Sequence, residues 1–338
     1  MKRHLLSCLI ILLAGNVFAQ RATIDDTAKF LAGIPVKGPL EPLTHDPAWI
    51  DHARALDSAM MKKDYFQVRP IRAWMLANAS QYYTSTNTVF YMFGGPDFMY
   101  ANLFFPQAKT YILAGLEPVG QVPDLPRMDP AALRTDLNAL RDSMHTVLQT
   151  HYFITKDMRA DLTRPNLGGT LPILYVFLAR LNCTVLKTTY VNSPAPGVKI
   201  DFTRDGSHQT LYYFKTDLSG GPSPFLKWCA AQGPGLSLLK AASYLMHTEG
   251  FSGVRNFLLN NSRVIIQDDS GIPLREFPKT WKVDCYGRYV PHAEMFGKYH
   301  QPDLAAIYNQ QPPPSELGFA FGYHWQKENG ILMMATRK

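Results

Sequence analysis

The sequence predicts an α/β fold: a mixed, mainly parallel sheet flanked by helices, with a Rossmann-like core and antiparallel hairpins late in the chain. Three observations predict it. Short runs rich in β-branched and aromatic residues alternate with amphipathic helical stretches. A glycine turn, Gly94-Gly95-Pro96-Asp97, links one apolar run to a short helical piece and then to a second apolar run that ends near Glu117. Arg204-Asp205-Gly206-Ser207 carries a strong hairpin signal between two further runs.

The chain has 338 residues, 46% hydrophobic and 18% charged. That composition can bury a large core and is not that of a disordered chain. With no internal repeat and no long linker, it reads as a single α/β domain over residues 81–338 behind a helical layer at 20–80. The first 19 residues read as a secretory signal peptide. Lys2, Arg3 and His4 form its basic start, Leu5 to Ala14 its apolar stretch, and Val17-Phe18-Ala19 places cleavage near Ala19. The apolar stretch is short of the roughly 20 residues a membrane span needs. Leu6-Ser7-Cys8 is out of order for a lipoprotein site, because most of the apolar run follows the cysteine. The later run Ile173 to Leu181 is broken by Arg180, so no transmembrane segment is expected. The expected location is secreted or periplasmic.

Formal net charge is +7, and Lys2 and Arg3 would leave with the signal. The remaining basic residues are dispersed, in runs no longer than Lys62-Lys63. A nucleic-acid partner would call for a basic stripe, so none is expected. A mildly cationic exported chain more readily meets anionic glycans or lipid head groups, although plain solubility also explains the charge; the expected partner is a small-molecule or glycan ligand. Cys183, Cys229 and Cys285 are far apart and lack paired metal-ligand spacing, so no metal site is expected from them. An oxidising compartment permits one bridge and one leftover thiol, and three buried thiols are the other reading.

Asp46-Pro47 can cap a helix over residues 48–63, with Ile50, Ala53, Leu56 and Met60 at helical spacing. A second helix runs on from Pro70. Thr88 to Phe93 and Thr110 to Leu116 are strands, and the helix Phe98 to Phe105 between them is at most two turns, capped by Asp97 and stopped by Pro106. So short a crossover suits parallel neighbours. Asp129-Pro130 opens a long helix to about His151, striped by Leu133, Leu137, Leu140, Met144 and Leu148. Another helix opens at Thr170-Leu171-Pro172, and Thr184 to Val191 is a strand. Val198 to Thr203 and Gln209 to Lys215 make the hairpin. Ser223-Pro224 caps a helix, Leu236 to His247 reads as another, and Ser252 to Leu259 as a third. Ser262 to Gln267 and Trp281 to Tyr286 are strands. Gln310 to Pro314 is a proline-rich loop, and Phe319 to Trp325 with Ile331 to Ala335 form a closing hairpin across Glu328-Asn329-Gly330.

Strand, glycine turn, helix, strand and terminal acid is the order of a dinucleotide- or S-adenosylmethionine-binding unit. Glu117 follows Gly94 by 23 residues, near the usual spacing of about 20. Against an intact cofactor site, the turn lacks G-x-G-x-x-G, Pro96 removes an N–H, and the helix is short. Three readings remain: a cofactor unit, a Rossmann-like unit without cofactor, and a different α/β turn. No cofactor is expected in an exported chain.

The stretches "FGGPDFMYANLFFP" leading to "YILAGLEPVG", and "IIQDDSGIP", resemble a group of exported bacterial proteins. The resemblance carries over no activity and no catalytic residue.

Candidate catalytic residues are the acids at or just past strand ends, Asp97, Glu117, Asp268 and Asp269, which could run acid–base chemistry if they converge. The structural alternative makes Asp97 a helix cap and puts Asp268-Asp269 in a turn with Ser270-Gly271. Gly94, Gly95, Tyr100 and Ser270 are the candidate ligand contacts. His292-x-Glu294 with His300, and His247-x-Glu249, lack the spacing of a helical metal site, and Ser207-His208 point apart in a hairpin turn. Dense aromatics, among them Tyr286, Tyr289 and Tyr323, suit sugar faces as well as core packing. Two functions follow: a hydrolase using those acids, or a non-catalytic ligand- or glycan-binding envelope protein on a degenerate Rossmann-like scaffold.

Overall fold

The protein is described from a computed structural model covering residues 21–150, 162, 166–290, 294–323 and 327–338. The expected signal peptide lies outside the described residues, as do His292 and Trp325. Among the described residues the architecture is mixed α/β, built on a nine-stranded mixed sheet. The strands are β1 (Val89–Tyr91), β2 (Thr110–Gly115), β3 (Thr184–Val191), β4 (Gly197–Arg204) and β5 (Ser207–Lys215), then β6 (Gly235–Leu239), β7 (Ser262–Gln267), β8 (Trp281–Gly287) and β9 (Ile331–Arg337). Their order is β3-β4-β5-β2-β1-β6-β7-β9-β8. The run from β5 to β7 is parallel, and the pairs at both edges are antiparallel.

Alternation along the central strands explains the layers. Val89, Tyr91, Tyr111 and Leu113 face one core, which is covered by helices from the first half of the chain. Phe90, Ile112 and Ala114 face the other, covered by the helices Pro224–Ala230 and Ser252–Asn261. A strand apolar on both faces is what a parallel sheet between helical layers requires.

The short crossover is as expected: Asp97 accepts from Tyr100 N at 3.3 Å at the start of the helix Phe98–Phe104, and β1 and β2 pair in parallel. The hairpin also holds, with Asp205 and Gly206 both at positive φ (49° and 78°), as a type I′ turn needs. The helix Pro47–Lys63 starts at its expected cap, Asp46.

Two expectations are corrected. Residues 236–247 are not a helix: Gly235–Leu239 is the strand β6, in the middle of the sheet, and a short 3₁₀ turn follows at Leu245–His247. Leucines at close spacing suit a helical stripe, but β6 is buried on both faces and shows no alternation to give it away. Its one polar residue, Ser237, shares a 2.7 Å hydrogen bond with Ser262 of β7. Among the described residues the closing hairpin is also absent. β9 pairs with β7 and β8, while residues 319–323 form no strand. Gly322 there lies against Asp268 at φ +69°, a close approach that a side chain would block.

Cys183, Cys229 and Cys285 are free thiols with no bridge among them; Cys183 and Cys229 are buried as the second reading has it, and Cys285 is half-buried. Burial pushes Cys183 and Cys285 up to about 12 and raises Cys229 as well. At about pH 8 the folded chain should therefore react with iodoacetamide far more slowly than the unfolded chain at all three positions, read by peptide mass spectrometry. Fast labelling of any of them in the native state would contradict this packing.

Candidate functional site

The carboxyl ends of β1, β2, β5 and β6 open onto one cavity of about 250 Å³. Each strand contributes to its wall through the residues that follow it: Gly94, Gly95 and Asp97 after β1, Glu117 after β2, Asp217 after β5, and Lys240 to Ser243 after β6. Phe93 and Phe251 supply apolar wall, packed edge to face at 6.0 Å between centroids.

Glu117 is buried against the glycine turn. Gly95 N donates to Ala114 O at 3.2 Å, which folds the turn back over the end of β2. A Cβ at Gly95 would lie 3.5 Å from Glu117 Oε2, and one at Gly115 would fall on the same carboxylate. Tyr213 of β5 donates to Glu117, reaching its backbone oxygen at 2.9 Å and Oε2 at 3.2 Å. Burial, and then the Glu117 charge, raise the Tyr213 phenol well above its usual value, so it stays a donor. Asp217 is exposed at the rim, and the Ser219 N–H bond holds its carboxyl below the usual range.

Behind the turn lies a buried charge network. Asp97 Oδ2 receives Tyr91 OH at 2.9 Å and Lys240 Nζ at 3.1 Å. Lys240 Nζ also sits 4.1 Å from the centroid of the Tyr100 ring, with Lys63 Nζ at 5.8 Å from it. Tyr100 OH donates to Gln67 at 3.2 Å. Lys63 and Gln67 are turned inward around a single π-helical turn, Asp64–Val68. Such turns are rare and recur at functional sites. Burial, followed by repulsion from Lys240, lowers the Lys63 amine well below its ordinary value, with Asp97 opposing the shift. Burial and then Asp97 raise Tyr91 and Tyr100, keeping both phenols protonated.

The loop after β6 is strained. Ala241, Ser243 and Tyr244 all have positive φ, between 52° and 56°, a conformation that costs about 1–3 kcal/mol per residue. Four side chains hold it. Asp268 accepts from Ala241 N at 3.1 Å, Ser270 Oγ from Ala242 N at 2.7 Å, and Tyr323 OH from Ser243 N at 3.1 Å. Tyr244 OH reaches Asp269 at 2.9 Å. Asp268 also accepts from Ser270 N and Oγ.

The nominated residues therefore divide. Gly94, Gly95, Asp97 and Glu117 border the cavity, and Tyr100 backs the Asp97–Lys240 pair. Asp268, Asp269 and Ser270 anchor the strained loop and do not border the cavity. Lys240, Lys63, Tyr213 and Asp217 were not legible as site residues. Recognising β6 as a strand would have exposed Lys240, since it follows that strand directly. Among the described residues no three His, Cys, Asp or Glu side chains come together as metal ligands. No described helix is long and apolar enough to cross a membrane. Comparison with family models, curated proteins and solved structures finds no match.

Proposed function

We propose that this is an exported, Rossmann-like binding protein whose cavity takes a small sugar-bearing ligand, a glycan fragment or a nucleoside, with Glu117 as acceptor for its ring hydroxyls. The parallel strands support the Rossmann-like reading: counted in chain order they run 3-2-1-4-5, and the cavity lies outside their carboxyl ends where that order reverses. The observation that carries the ligand class is the buried Glu117 carboxylate, which follows the second strand and packs against Gly95 in the cavity wall. In this type of sheet an acid there accepts from sugar hydroxyls. Phe93 and Phe251 offer rings to the ligand's apolar face.

A pyrophosphate-bearing ligand fits less well. The helix after the turn has seven residues, and the Asp97 carboxylate already takes the Tyr100 N–H at its start. The hydrolytic reading of the same acids has less support, because Asp97 is engaged by Lys240, and Asp268 and Asp269 hold a loop. Export rests on the signal-like N-terminus and makes a glycan fragment the ligand at hand.

The test is a thermal-shift and calorimetric panel of neutral mono- and disaccharides and nucleosides on the mature protein. At least one compound should raise the melting temperature saturably, by linkage to the folded state alone. No shift from any of them at about 10 mM would contradict the reading.

A further inference from the structure

The stretch that borders the first cavity through Ser243 and Leu245 runs on to border a second through His247 and Thr248. This second concavity, of about 280 Å³, is lined by those two residues with Arg275, Lys298, Tyr299 and His300. Four of the six can carry positive charge and none is acidic. Two of its lining rings, His247 and Tyr299, belong to an aromatic stack with the buried Tyr244. Tyr299 lies parallel to Tyr244, at 1° and 5.1 Å, and the His247 ring meets both edge-on at 5.5 and 5.3 Å. Lys298 Nζ sits 5.0 Å above the Tyr299 ring, and Tyr289 OH meets His300 Nδ1 at 2.7 Å. Arg275 Nε approaches Glu276 Oε1 at 3.7 Å, longer than a hydrogen bond.

We propose that this bowl binds a phosphate or sulfate ester. Nitrogen-bearing side chains from three separate segments, around residues 247, 275 and 298–300, surround one small volume, and Arg275 and Lys298 among them are cations. A tetrahedral oxyanion offers acceptor oxygens in several directions and suits that arrangement, since charge-assisted hydrogen bonds are the strong ones. The aromatic stack holds the His247 and Tyr299 rings, so those two need little ordering on binding. The site is separate from the Glu117 cavity.

Calorimetry with inorganic phosphate and inorganic sulfate at constant ionic strength tests it. The variant Arg275→Ala/Lys298→Ala removes two exposed cations, and Lys187→Ala/Lys215→Ala removes the same charge from another exposed surface. Saturable binding, weakened about tenfold or more by the first variant and unchanged by the second, is expected. Glu117→Gln should leave it intact. No saturable heat, or an equal effect of both double variants, overturns the proposal. A second arm separates the sources. Tighter binding of a sulfated disaccharide points to a glycan, and co-sedimentation with phosphatidylglycerol vesicles that the first variant abolishes points to a lipid headgroup. Failure of both to exceed the inorganic anions overturns the ester assignment.

Discussion

Lys240→Met should lower the stability of the folded chain by about 3–5 kcal/mol, because it takes the contacting cation from a buried carboxylate and leaves only Lys63, an amine that burial depresses. Asp97 is 2% exposed, and Lys240 approaches it at 3.1 Å. Tyr91 OH and Tyr100 N still donate to the carboxylate in the variant, but neither supplies charge. Adding Asp97→Asn should recover much of the loss, since the amide can still accept from Tyr100 N and carries no charge to strand. Denaturant melts of the two single variants and the double variant form a cycle in which the double variant loses less stability than the sum of the two singles. A pair whose effects simply add would show that the two groups do not depend on each other.

The same variant has a pH signature. The Lys63 amine is depressed in the folded chain below its ordinary 10.5, in part by Lys240. Between the folded value and 10.5 this amine binds more protons in the unfolded state, so its own contribution to stability rises with pH across that window. Removing Lys240 relieves the repulsion, moves the folded value up and narrows the window. The raised thiols and phenols pull the other way, so the contribution is read by difference: the alkaline slope of stability should be less positive in Lys240→Met than in wild type, and less positive still in Lys63→Met.

Gly115→Ala should abolish ligand binding at the Glu117 cavity. A methyl group there falls on the Glu117 carboxylate and comes within 3.0 Å of both Gly95 Cα and Tyr213 OH. None of these neighbours has slack: the first is backbone, and the second is a buried phenol held by Glu117. The carboxylate must leave its place, at a stability cost of about 1–3 kcal/mol for overpacking. Glu117→Gln separates charge from shape. It keeps the volume and an oxygen for Tyr213, so melting should change little, while affinity falls about 10- to 100-fold for the loss of a charged acceptor. Equal affinities of wild type and Glu117→Gln in calorimetry would remove Glu117 from the site.

The half of the site built by local chemistry was legible in the sequence. Asp97 caps because it precedes a short helix, and Gly94-Gly95 turns because a strand must end there. Glu117 ends a strand whose apolar run is plain to see. The half built by long-range pairing was not. β6 pairs with β1 and β7 across long stretches of chain, and its apolar residues fit a helix equally well. Losing it hid Lys240 and the left-handed loop behind it. Nor does local sequence say that Asp268 and Ser270 reach back to Ala241 and Ala242, because that contact exists only once β6 and β7 lie side by side. Lys63 was hidden for another reason. It lies at the end of an exposed-looking basic helix, and only the π turn after it carries Gln67 and the helix end onto Tyr100.

The most direct measurement is a crystal structure of the mature protein with the tightest-binding sugar or nucleoside of the panel. The account predicts two ring hydroxyls of the ligand within about 2.5–3.0 Å of the Glu117 carboxylate, in the cavity between the Gly94-Gly95 turn and the loop after β6. A ligand bound elsewhere, or one in this cavity with no hydroxyl on Glu117, would contradict it.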